Sequence, residues 1–180
     1  NGDEKVAFDL IVGSGINSSL PHGVPSSKII QSGDFITFDI GAVYDGYHSD
    51  MTRTVALGGV SDEMREVYDT VLTAHYKAAQ MIKAGNAIAS VDAAARDYIK
   101  NKGYGEYFGH TTGHGVGLEI HETPTVYHTN KEILKANMVI TDEPGIYLPE
   151  KFGVRIEDMY LVTENGCEDL AYIDKELTIL

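Results

Sequence analysis

The chain's strongest fold constraint is a run of β-forming residues with Asp45-Gly46 at its centre. Residues 34–54 read DFITFDIGAVYDGYHSDMTRT, in which aromatic and branched residues run up to Tyr44 and resume at Tyr47. Asp-Gly between two such runs predicts a β-hairpin, because a type I′ turn requires positive φ at both central residues. In that hairpin Tyr44 faces Tyr47, and this pair fixes the partner of every other residue in the two strands.

The predicted register places two aspartates on one face of the hairpin. Gly41 pairs with Asp50, and Asp39 lies two positions before Gly41, so the aspartates become diagonal neighbours roughly 7–8 Å apart at the backbone. Aligned carboxylates repel each other, and a polyvalent cation between them removes that repulsion. Two alternatives remain open: a solvated strand face with two unrelated aspartates, or a β-bulge that breaks the register.

Length, charge and cysteine usage limit the possible classes of protein. A chain of 180 residues can form one domain with a substantial core, and we expect a single domain over 1–180. The net charge of −13 disfavours nucleic acid and anionic membranes as partners, because both require a basic surface. The single cysteine, Cys167, excludes an internal disulfide and suggests a reducing compartment, so we expect a cytoplasmic location.

The N-terminal part of the chain predicts one strand and one loop. Residues 6–12, VAFDLIV, are predicted to form a buried strand that ends at Gly13. Residues 16–27 are rich in Pro, Gly and Ser and predict a loop that carries His22. A loop histidine is either simply solvated or part of a site, since loops carry functional residues disproportionately.

Two helices are predicted in the middle of the chain. Ser61 has the properties of an N-cap, and apolar residues recur at helical spacing after it until Gly85 ends the first helix. Ser90 is predicted to begin a second helix, which stops at Gly103. Both helices are interpreted as packing elements without catalytic residues.

Residues 109–122, GHTTGHGVGLEIHE, combine glycines with three histidines, His110, His114 and His121. Glycines allow a backbone to approach a ligand or another strand closely. A phosphate-binding loop is excluded because no Gly-Lys-Ser/Thr is present, and the zinc-protease motif is excluded because no histidine follows His121-Glu122 at the required spacing. Chance clustering is the alternative, but three histidines beside so much glycine suggest a site.

Two further predicted strands carry embedded acids. Residues 137–147 contain Glu143, which is predicted to end the first strand just before Pro144. Residues 153–163 contain Arg155 and Glu157, which share a face by the period of two. Buried carboxylates need partners or metals. A structural Arg155–Glu157 pair in the sheet is the alternative to a metal site.

Two Asp, two Glu and a histidine form a set of mostly hard oxygen ligands with one imidazole. This set suits Mn²⁺, Co²⁺, Zn²⁺ or Fe²⁺ better than a structural zinc or Ca²⁺. Two divalent ions would neutralise the four carboxylates and could activate a shared water molecule.

Four blocks resemble the metal-binding blocks of the pita-bread metallopeptidases: FDIGAVYDGYHSDMTRT, TGHGVGLEIHE, ITDEPGIY and VRIEDMYLVT. That family includes Xaa-Pro dipeptidase (prolidase), aminopeptidase P, methionine aminopeptidase and creatinase. The resemblance implies an α+β pita-bread fold, with a curved antiparallel sheet, helices on its outer face and halves related by a pseudo-two-fold axis. Family members have a helical segment before the first strand and often an N-terminal domain, so the resemblance implies an N-terminally truncated catalytic domain.

The resemblance also implies roles for particular residues. It implies a site for two divalent metal ions, for which we expect Mn²⁺, with the ligands Asp39, Asp50, His114, Glu143 and Glu157. It places three histidines around the substrate: His22, His110 and His121. Glu143 is implied as the proton shuttle, and Arg155 as a residue that steadies the acids.

The sequence Glu143-Pro144-Gly145-Ile146-Tyr147 and the position of His110 resemble the prolidase and aminopeptidase P branch. This branch implies hydrolysis of the Xaa-Pro bond of dipeptides or short peptides, with release of the N-terminal residue, by a protein that is homodimeric at full length. Two alternatives remain: a methionine aminopeptidase, or a non-catalytic pita-bread module that binds peptides or proteins.

Overall fold

The structure, a computed structural model, describes residue 2 and residues 4–180 and contains strands and helices in α+β order. The strands are β1 (Lys5–Val6), β2 (Ile11–Ser14), β3 (Phe35–Ile40), β4 (Ala42–Tyr44), β5 (Tyr47–His48), β6 (Met51–Ala56), β7 (Gly113–Gly115), β8 (Glu122–Val126), β9 (Val139–Asp142), β10 (Gly145–Leu148), β11 (Phe152–Arg155), β12 (Asp158–Val162) and β13 (Cys167–Asp169). The helices are α1 (Asp62–Ala79) and α2 (Ile88–Asn101), with short 3-10 helices at Gly15–Ser19 and Gly105–Tyr107. Within the described part of the chain, neither helix has the length and apolar character needed to cross a membrane.

The hairpin around Asp45-Gly46 forms in the predicted register. Tyr44 pairs with Tyr47, and φ is 49° at Asp45 and 79° at Gly46, as the predicted turn requires. Further from the turn, Asp39 pairs with Thr52, so the register is the same throughout. The strands of this hairpin belong to two sheets, β1-β4-β5 at the tip and β2-β3-β6 at the base. The register does not change from one sheet to the other, so neither side of the hairpin contains an extra residue.

The second half contains a similar interrupted hairpin. Asp142 pairs with Asp158 in β9 and β12, and Gly145 pairs with Arg155 in β10 and β11. The first strand breaks at Glu143, where the sequence predicts its end, and β10 continues after Pro144. The second predicted strand, over 153–163, is split between Arg155 and Asp158, so the prediction of an uninterrupted strand is wrong there. Pro144 lacks an N–H and cannot continue the ladder, which accounts for the break on the first strand.

Beside the cavity, the two halves meet at a backbone pairing between Thr52 and Glu157. The Glu157 N–H donates to the Thr52 carbonyl at 3.1 Å. We call this pairing the seam. In the second half of the chain, a five-stranded antiparallel sheet has the order β13-β12-β9-β7-β8.

Helix α1 begins where predicted and ends earlier than predicted. The Ser61 side chain accepts a hydrogen bond from the Met64 N–H at 3.2 Å, which is an N-cap interaction. The helix ends at Ala79 rather than at Gly85. Beyond that end, the backbone bonds to other elements: the Ala84 N–H, for example, donates to a carbonyl in the turn after β12.

Helix α2 begins two residues before the predicted start. The Ser90 hydroxyl donates to the Ala87 carbonyl at 2.6 Å, inside the first turn, instead of capping the helix. The Ile88 N–H donates to the Glu132 carbonyl, so a distant loop fixes where this helix begins.

The predicted buried strand over 6–12 is wrong. Its residues form parts of β1 and β2, and Val6 and Leu10 are 55% and 40% exposed. The chain crosses here from one sheet to another, because β1 pairs with β4 and β2 pairs with β3. The crossing places Phe8 and Asp9 at the wall of a cavity.

One hydrophobic core joins the two halves and both helices. It contains Phe35 from β3, Tyr68 from α1, Ile99 from α2, Ile140 from β9 and Val154 from β11, each of them at most 1% exposed. The helices therefore cover the sheets, as predicted, and leave the opposite side free for a site.

Candidate metal centre

The candidate site residues predicted from the sequence all line one cavity of about 920 Å³. They are His22, Asp39, Asp50, His110, His114, His121, Glu143, Arg155 and Glu157. The cavity lies where the interruptions of both hairpins meet across the seam.

The strand interruptions supply the acids. Asp50 lies immediately before β6, Glu143 immediately after β9 and Glu157 immediately before β12, while Asp39 is in β3. Since Asp142 pairs with Asp158, Glu143 and Glu157 are the next facing positions along the same register. The backbone breaks at Asp50, Glu143 and Glu157 place these three acids at strand ends beside the cavity, whereas Asp39 reaches the cavity from within the ladder of β3.

His114 directs its Nε2 at this group of acids. Its Nδ1 lies 2.9 Å from the Gly115 carbonyl oxygen, which only accepts, so Nδ1 carries the proton. Its Nε2 is 3.5 Å from Asp50 Oδ2 and 3.4 Å from Glu143 Oε1. This tautomer is the one in which a histidine coordinates a metal through Nε2.

Ligand atoms of Asp50, His114 and Glu157 lie within 4.8 Å of one another, a spacing that could hold a metal ion. Asp39 and Glu143 lie in the same cavity. Asp39 Oδ1 is buried and has no hydrogen-bond partner among the described residues. An unpartnered buried carboxylate oxygen is expensive unless a cation occupies the space in front of it.

Burial raises the pKa values of three carboxyl groups in this cavity, those of Glu143, Glu157 and Asp39. The pKa of Glu143 is raised to about 7 by burial, against the opposing charge of His114. The pKa of Glu157 is raised well above its ordinary value by burial and by the charge of Glu143. Burial also raises the pKa of Asp39, although the neighbouring Arg155 lowers it. The acids are therefore undercompensated by protein groups alone, and this donor set fits divalent cations.

Arg155 contacts Asp39 rather than forming the Arg155–Glu157 pair considered above as a structural alternative. Its Nη2 donates to Asp39 Oδ2 at 2.6 Å, and its Nε donates to Thr52 Oγ1 at 3.1 Å. The Thr52 hydroxyl in turn donates to Glu157 Oε2 at 2.6 Å. Arg155 thus orients an acid of the first half directly and an acid of the second half through a threonine.

Both ring nitrogens of His110 are occupied. Nδ1 lies 2.7 Å from the Thr111 carbonyl oxygen, so Nδ1 carries the proton. Nε2 lies 2.9 Å from the Tyr147 hydroxyl, which accepts from Arg155 Nη1 at 2.9 Å and can therefore donate to His110. Burial lowers the pKa of His110 to about 4, which agrees with a neutral ring.

His22 and His121 lie at more exposed parts of the cavity wall. His22 follows the 3-10 helix Gly15–Ser19, and the neighbouring Pro21 carbonyl accepts from Arg155 at 3.0 Å. The His121 ring centroid is 4.5 Å from that of His114, in an edge-to-face arrangement. Burial and the charge of His114 lower the pKa of His121.

Three hydroxyl residues of the site were missed by the sequence reasoning: Thr52, Thr141 and Tyr147. Thr141 Oγ1 accepts from the His114 N–H at 3.0 Å and donates to Glu143 Oε1 at 3.2 Å, so it orients both. Thr52 and Thr141 lie two positions from Asp50 and Glu143 respectively. That period of two was available in the sequence and could have identified them.

A model of metallopeptidase family M24 matches residues 1–164. A Xaa-Pro dipeptidase of Pyrococcus furiosus is 50% identical over 177 residues, which are 98% of this chain and 51% of the relative. The solved structure of a Xaa-Pro dipeptidase from Bacillus anthracis superposes with a TM-score of 0.98 at 52% identity, covering 99% of this chain and 50% of that one. An X-Pro aminopeptidase from Thermotoga maritima gives a TM-score of 0.97 at 47% identity, covering 99% and 51%.

These similarities, together with the antiparallel sheets, the two covering helices and the acids and histidines gathered in one cavity, define a pita-bread metallopeptidase domain and confirm the expected fold. The chain belongs to metallopeptidase family M24. Membership implies the use of divalent metal ions, for which Asp50, His114 and Glu157 form a possible site. The chain spans about half the length of the curated relatives it matches.

Proposed function

We propose that the protein is a metal-dependent peptidase that hydrolyses the bond between an N-terminal residue and proline in dipeptides or short peptides. One observation carries this proposal: four carboxylates, three further histidines and His114, whose Nε2 faces the acids, converge in one cavity. Relatives named Xaa-Pro dipeptidase and X-Pro aminopeptidase support the substrate class.

The residues proposed to hold two divalent ions are Asp39, Asp50, His114, Glu143 and Glu157. When bound, the ions would polarise the scissile carbonyl and activate the attacking water. Mn²⁺ is the proposed metal, and Co²⁺, Zn²⁺ and Fe²⁺ suit the same oxygen-rich set with one imidazole.

Glu143 is proposed as the proton shuttle. As the water oxygen bonds to the carbonyl carbon, the Glu143 carboxylate accepts a proton from that water. It then delivers the proton to the proline nitrogen as the carbon–nitrogen bond breaks. Its position beside His114 Nε2, with its Oε1 accepting from the Thr141 hydroxyl at 3.2 Å, supports this role because the carboxylate is held at the ligand group where the water would be activated.

The three further histidines are proposed to act on the substrate in different ways. His121 and His22 have exposed rings at the cavity wall and would hydrogen-bond the scissile group and the developing oxyanion. His110 has both nitrogens engaged, so it would shape the proline pocket by contact rather than by donating a hydrogen bond.

We also propose the remaining features of the protein. Residues 1–180 would form one catalytic domain, which is supported by the core shared between the two halves. A cytoplasmic location and homodimeric assembly of the intact protein are proposed as well. The net charge of −13 supports the absence of nucleic acid and membrane partners.

The first prediction concerns Glu143→Gln in the intact protein with Mn²⁺. Because Gln cannot accept and release the proton, kcat for a Xaa-Pro peptide should fall by about 10²-fold or more. Steady-state kinetics and a Mn²⁺ titration would be measured together. Glu164→Gln, at an exposed position, is the control and should behave like the wild type.

Undiminished turnover of Glu143→Gln with metal bound would remove the proton-shuttle role. A substrate panel separates the alternatives: preference for Met-Ala over Xaa-Pro peptides would indicate a methionine aminopeptidase. A wild-type protein that binds no transition metal when purified without chelator would indicate a non-catalytic binding module.

A further inference from the structure

Helix α2 carries an ion pair, Asp92–Arg96, that bonds to the segment 108–112 beside the cavity. Neither residue of the pair is among the described residues that line the cavity. We propose that Asp92 and Arg96 are positioning residues, which fix His110 and the backbone of Glu143 for the reaction. This inference rests on the proposed function and assigns to α2 a role beyond packing.

The ion pair is bidentate and anchored on a buried acid. Arg96 Nε donates to Asp92 Oδ2 at 2.9 Å, and Nη2 donates to Oδ1 at 2.7 Å. Asp92 is fully buried, so its orientation is fixed by these partners rather than by water. The guanidinium carbon lies 4.2 Å from the ring centroid of Phe108 and 5.2 Å from that of Tyr127, a residue of the cavity wall.

The remaining donors of Arg96 hold the segment that carries His110. Nη1 donates to the Phe108 carbonyl at 2.9 Å, and Nη2 donates to the His110 carbonyl at 2.7 Å. These two carbonyls flank Gly109, in a stretch outside the assigned helices and strands. Such a stretch has no ladder of its own to fix its backbone. Arg96 therefore supplies the restraint on both sides of the glycine.

This restraint is transmitted to the His110 ring. With the backbone held, the ring reaches the Thr111 carbonyl through Nδ1 and the Tyr147 hydroxyl through Nε2 at the same time. Loss of the Arg96 contacts would allow the backbone around Gly109 to rotate, and the ring could then exchange one of these partners for another or for water.

Asp92 restrains the other end of the segment. The hydroxyl of Thr112, which is fully buried, donates to Asp92 Oδ1 at 2.7 Å. The Thr112 carbonyl accepts from the Glu143 N–H at 2.8 Å. A continuous path of hydrogen bonds therefore connects Asp92 on α2 to the backbone of the proposed proton shuttle.

This pair differs from an ordinary pair at i,i+4 on a helix surface. Exposed pairs of that spacing contribute little to helix stability and restrain little else. Here Asp92 is buried, and Arg96 donates two hydrogen bonds to carbonyls of another segment. The arrangement is therefore suited to holding that segment.

The second prediction tests Arg96 in the intact protein with Mn²⁺. Arg96→Gln removes the ion pair and the guanidinium N–H donors. Arg96→Met keeps the apolar stem of the side chain but has no hydrogen-bond donor. Both should raise KM for a Xaa-Pro peptide about tenfold through misplacement of His110, with the Mn²⁺ stoichiometry unchanged. Arg96→Lys keeps the charge and should recover part of the loss.

The decisive readout is the nitrogen NMR spectrum of the His110 ring. The wild type should show a single neutral tautomer with the proton on Nδ1, whereas Arg96→Gln and Arg96→Met should show a mixture or exchange broadening. Arg65→Gln, at an exposed position on α1, is the matched control and should leave the spectrum and KM unchanged.

The proposal is overturned if Arg96→Gln and Arg96→Met keep the wild-type His110 spectrum and KM. A lowered unfolding temperature accompanied by an unchanged spectrum and KM would likewise overturn it, because the pair would then have only a structural role. If the wild type hydrolyses no Xaa-Pro peptide, the proposed function fails. The His110 spectrum requires no turnover and still decides whether Arg96 positions this ring.

Discussion

Hydroxyl side chains orient the charged groups of the candidate metal centre. Thr52 links Arg155 to Glu157, and Thr141 links the His114 backbone to Glu143. A hydroxyl can accept one hydrogen bond and donate another, so it can connect a cation or an N–H to a carboxylate without adding charge. Replacing such a group tests whether orientation or charge limits metal affinity.

The third prediction is that Thr52→Val weakens Mn²⁺ binding about tenfold, which is the usual cost of losing a hydrogen bond that orients a ligand. Valine has nearly the same shape, so the change removes the 2.6 Å bond to Glu157 while packing is largely kept. Calorimetric titration with Mn²⁺ would measure the effect. Thr70→Val is the control, because Thr70 is equally buried but bonds within α1. Equal affinities of Thr52→Val and wild type would contradict the prediction.

For individual residues, the sequence could predict the charged members of the site but not their hydrogen-bond partners. Acids such as Glu143 and Glu157 stand out in strands of apolar residues, because an uncompensated buried charge is rare. Asp92 and Arg96 have the spacing of an ordinary helix-surface pair and gave no such signal. Their role depends on contacts with residues 108–112, which only the folded chain brings to the helix.

Among the structural elements, β7 places His114 by a close approach of two backbones. At Gly113, the first residue of β7, an added Cβ would overlap the carbonyl oxygen of Thr141 in β9. Glycine is therefore required for β7 to lie between β8 and β9 in the five-stranded sheet. The position of His114 depends on this strand spacing.

The fourth prediction is that Gly113→Ala disrupts Mn²⁺ binding by forcing β7 away from β9, with an affinity loss of at least about tenfold. Gly59→Ala is the control, because Gly59 is exposed, lies outside the cavity lining and has nothing within 4 Å of an added Cβ. Metal titration and far-ultraviolet circular dichroism would be measured for both variants. Unchanged Mn²⁺ affinity in Gly113→Ala would show that the sheet absorbs the extra methyl group.

Local and non-local signals explain which elements the sequence predicts. The hairpin register follows from Asp45-Gly46 alone, since turn geometry is a local property. Pro144 likewise marks the break in its own strand, whereas the split between Arg155 and Asp158 and the early end of α1 at Ala79 depend on where the backbone finds partners elsewhere in the fold. Periodicity in the sequence carries no information about those partners.

In the whole molecule, the cavity concentrates carboxylates from both halves around the seam. Burial raises the pKa of Glu143 to about 7, whereas its ordinary value is 4.5. Without cations, and at pH values between 4.5 and about 7, Glu143 is therefore protonated in the folded state and ionised in the unfolded state. The stabilising contribution of this group is complete below the ordinary pKa and is lost as the pH rises through about 7.

The fifth prediction follows for protein stripped of metal with a chelator. Glu143→Gln and wild type should unfold at similar temperatures near about pH 5, and the wild type should become the less stable of the two by about pH 8.5. Added Mn²⁺ should reverse this order, because a carboxylate binds the cation more tightly than a neutral amide does. Thermal unfolding across this pH range would measure both effects.

The stability difference between Glu164→Gln and wild type should not vary with pH in the same way, since residue 164 is exposed. A metal-free wild type that gains stability relative to Glu143→Gln as the pH rises would contradict the sign of the effect.

The constant pairing of the first hairpin also determines where the chain tolerates changes of length. Residues added at the turn Asp45-Gly46 would lengthen the tip and leave Asp39 opposite Thr52. A single residue added between Asp39 and Gly41 would instead turn Asp39 to the opposite face of the strand. Natural insertions, or an engineered label, should therefore be accepted at the tip and rejected a few residues away.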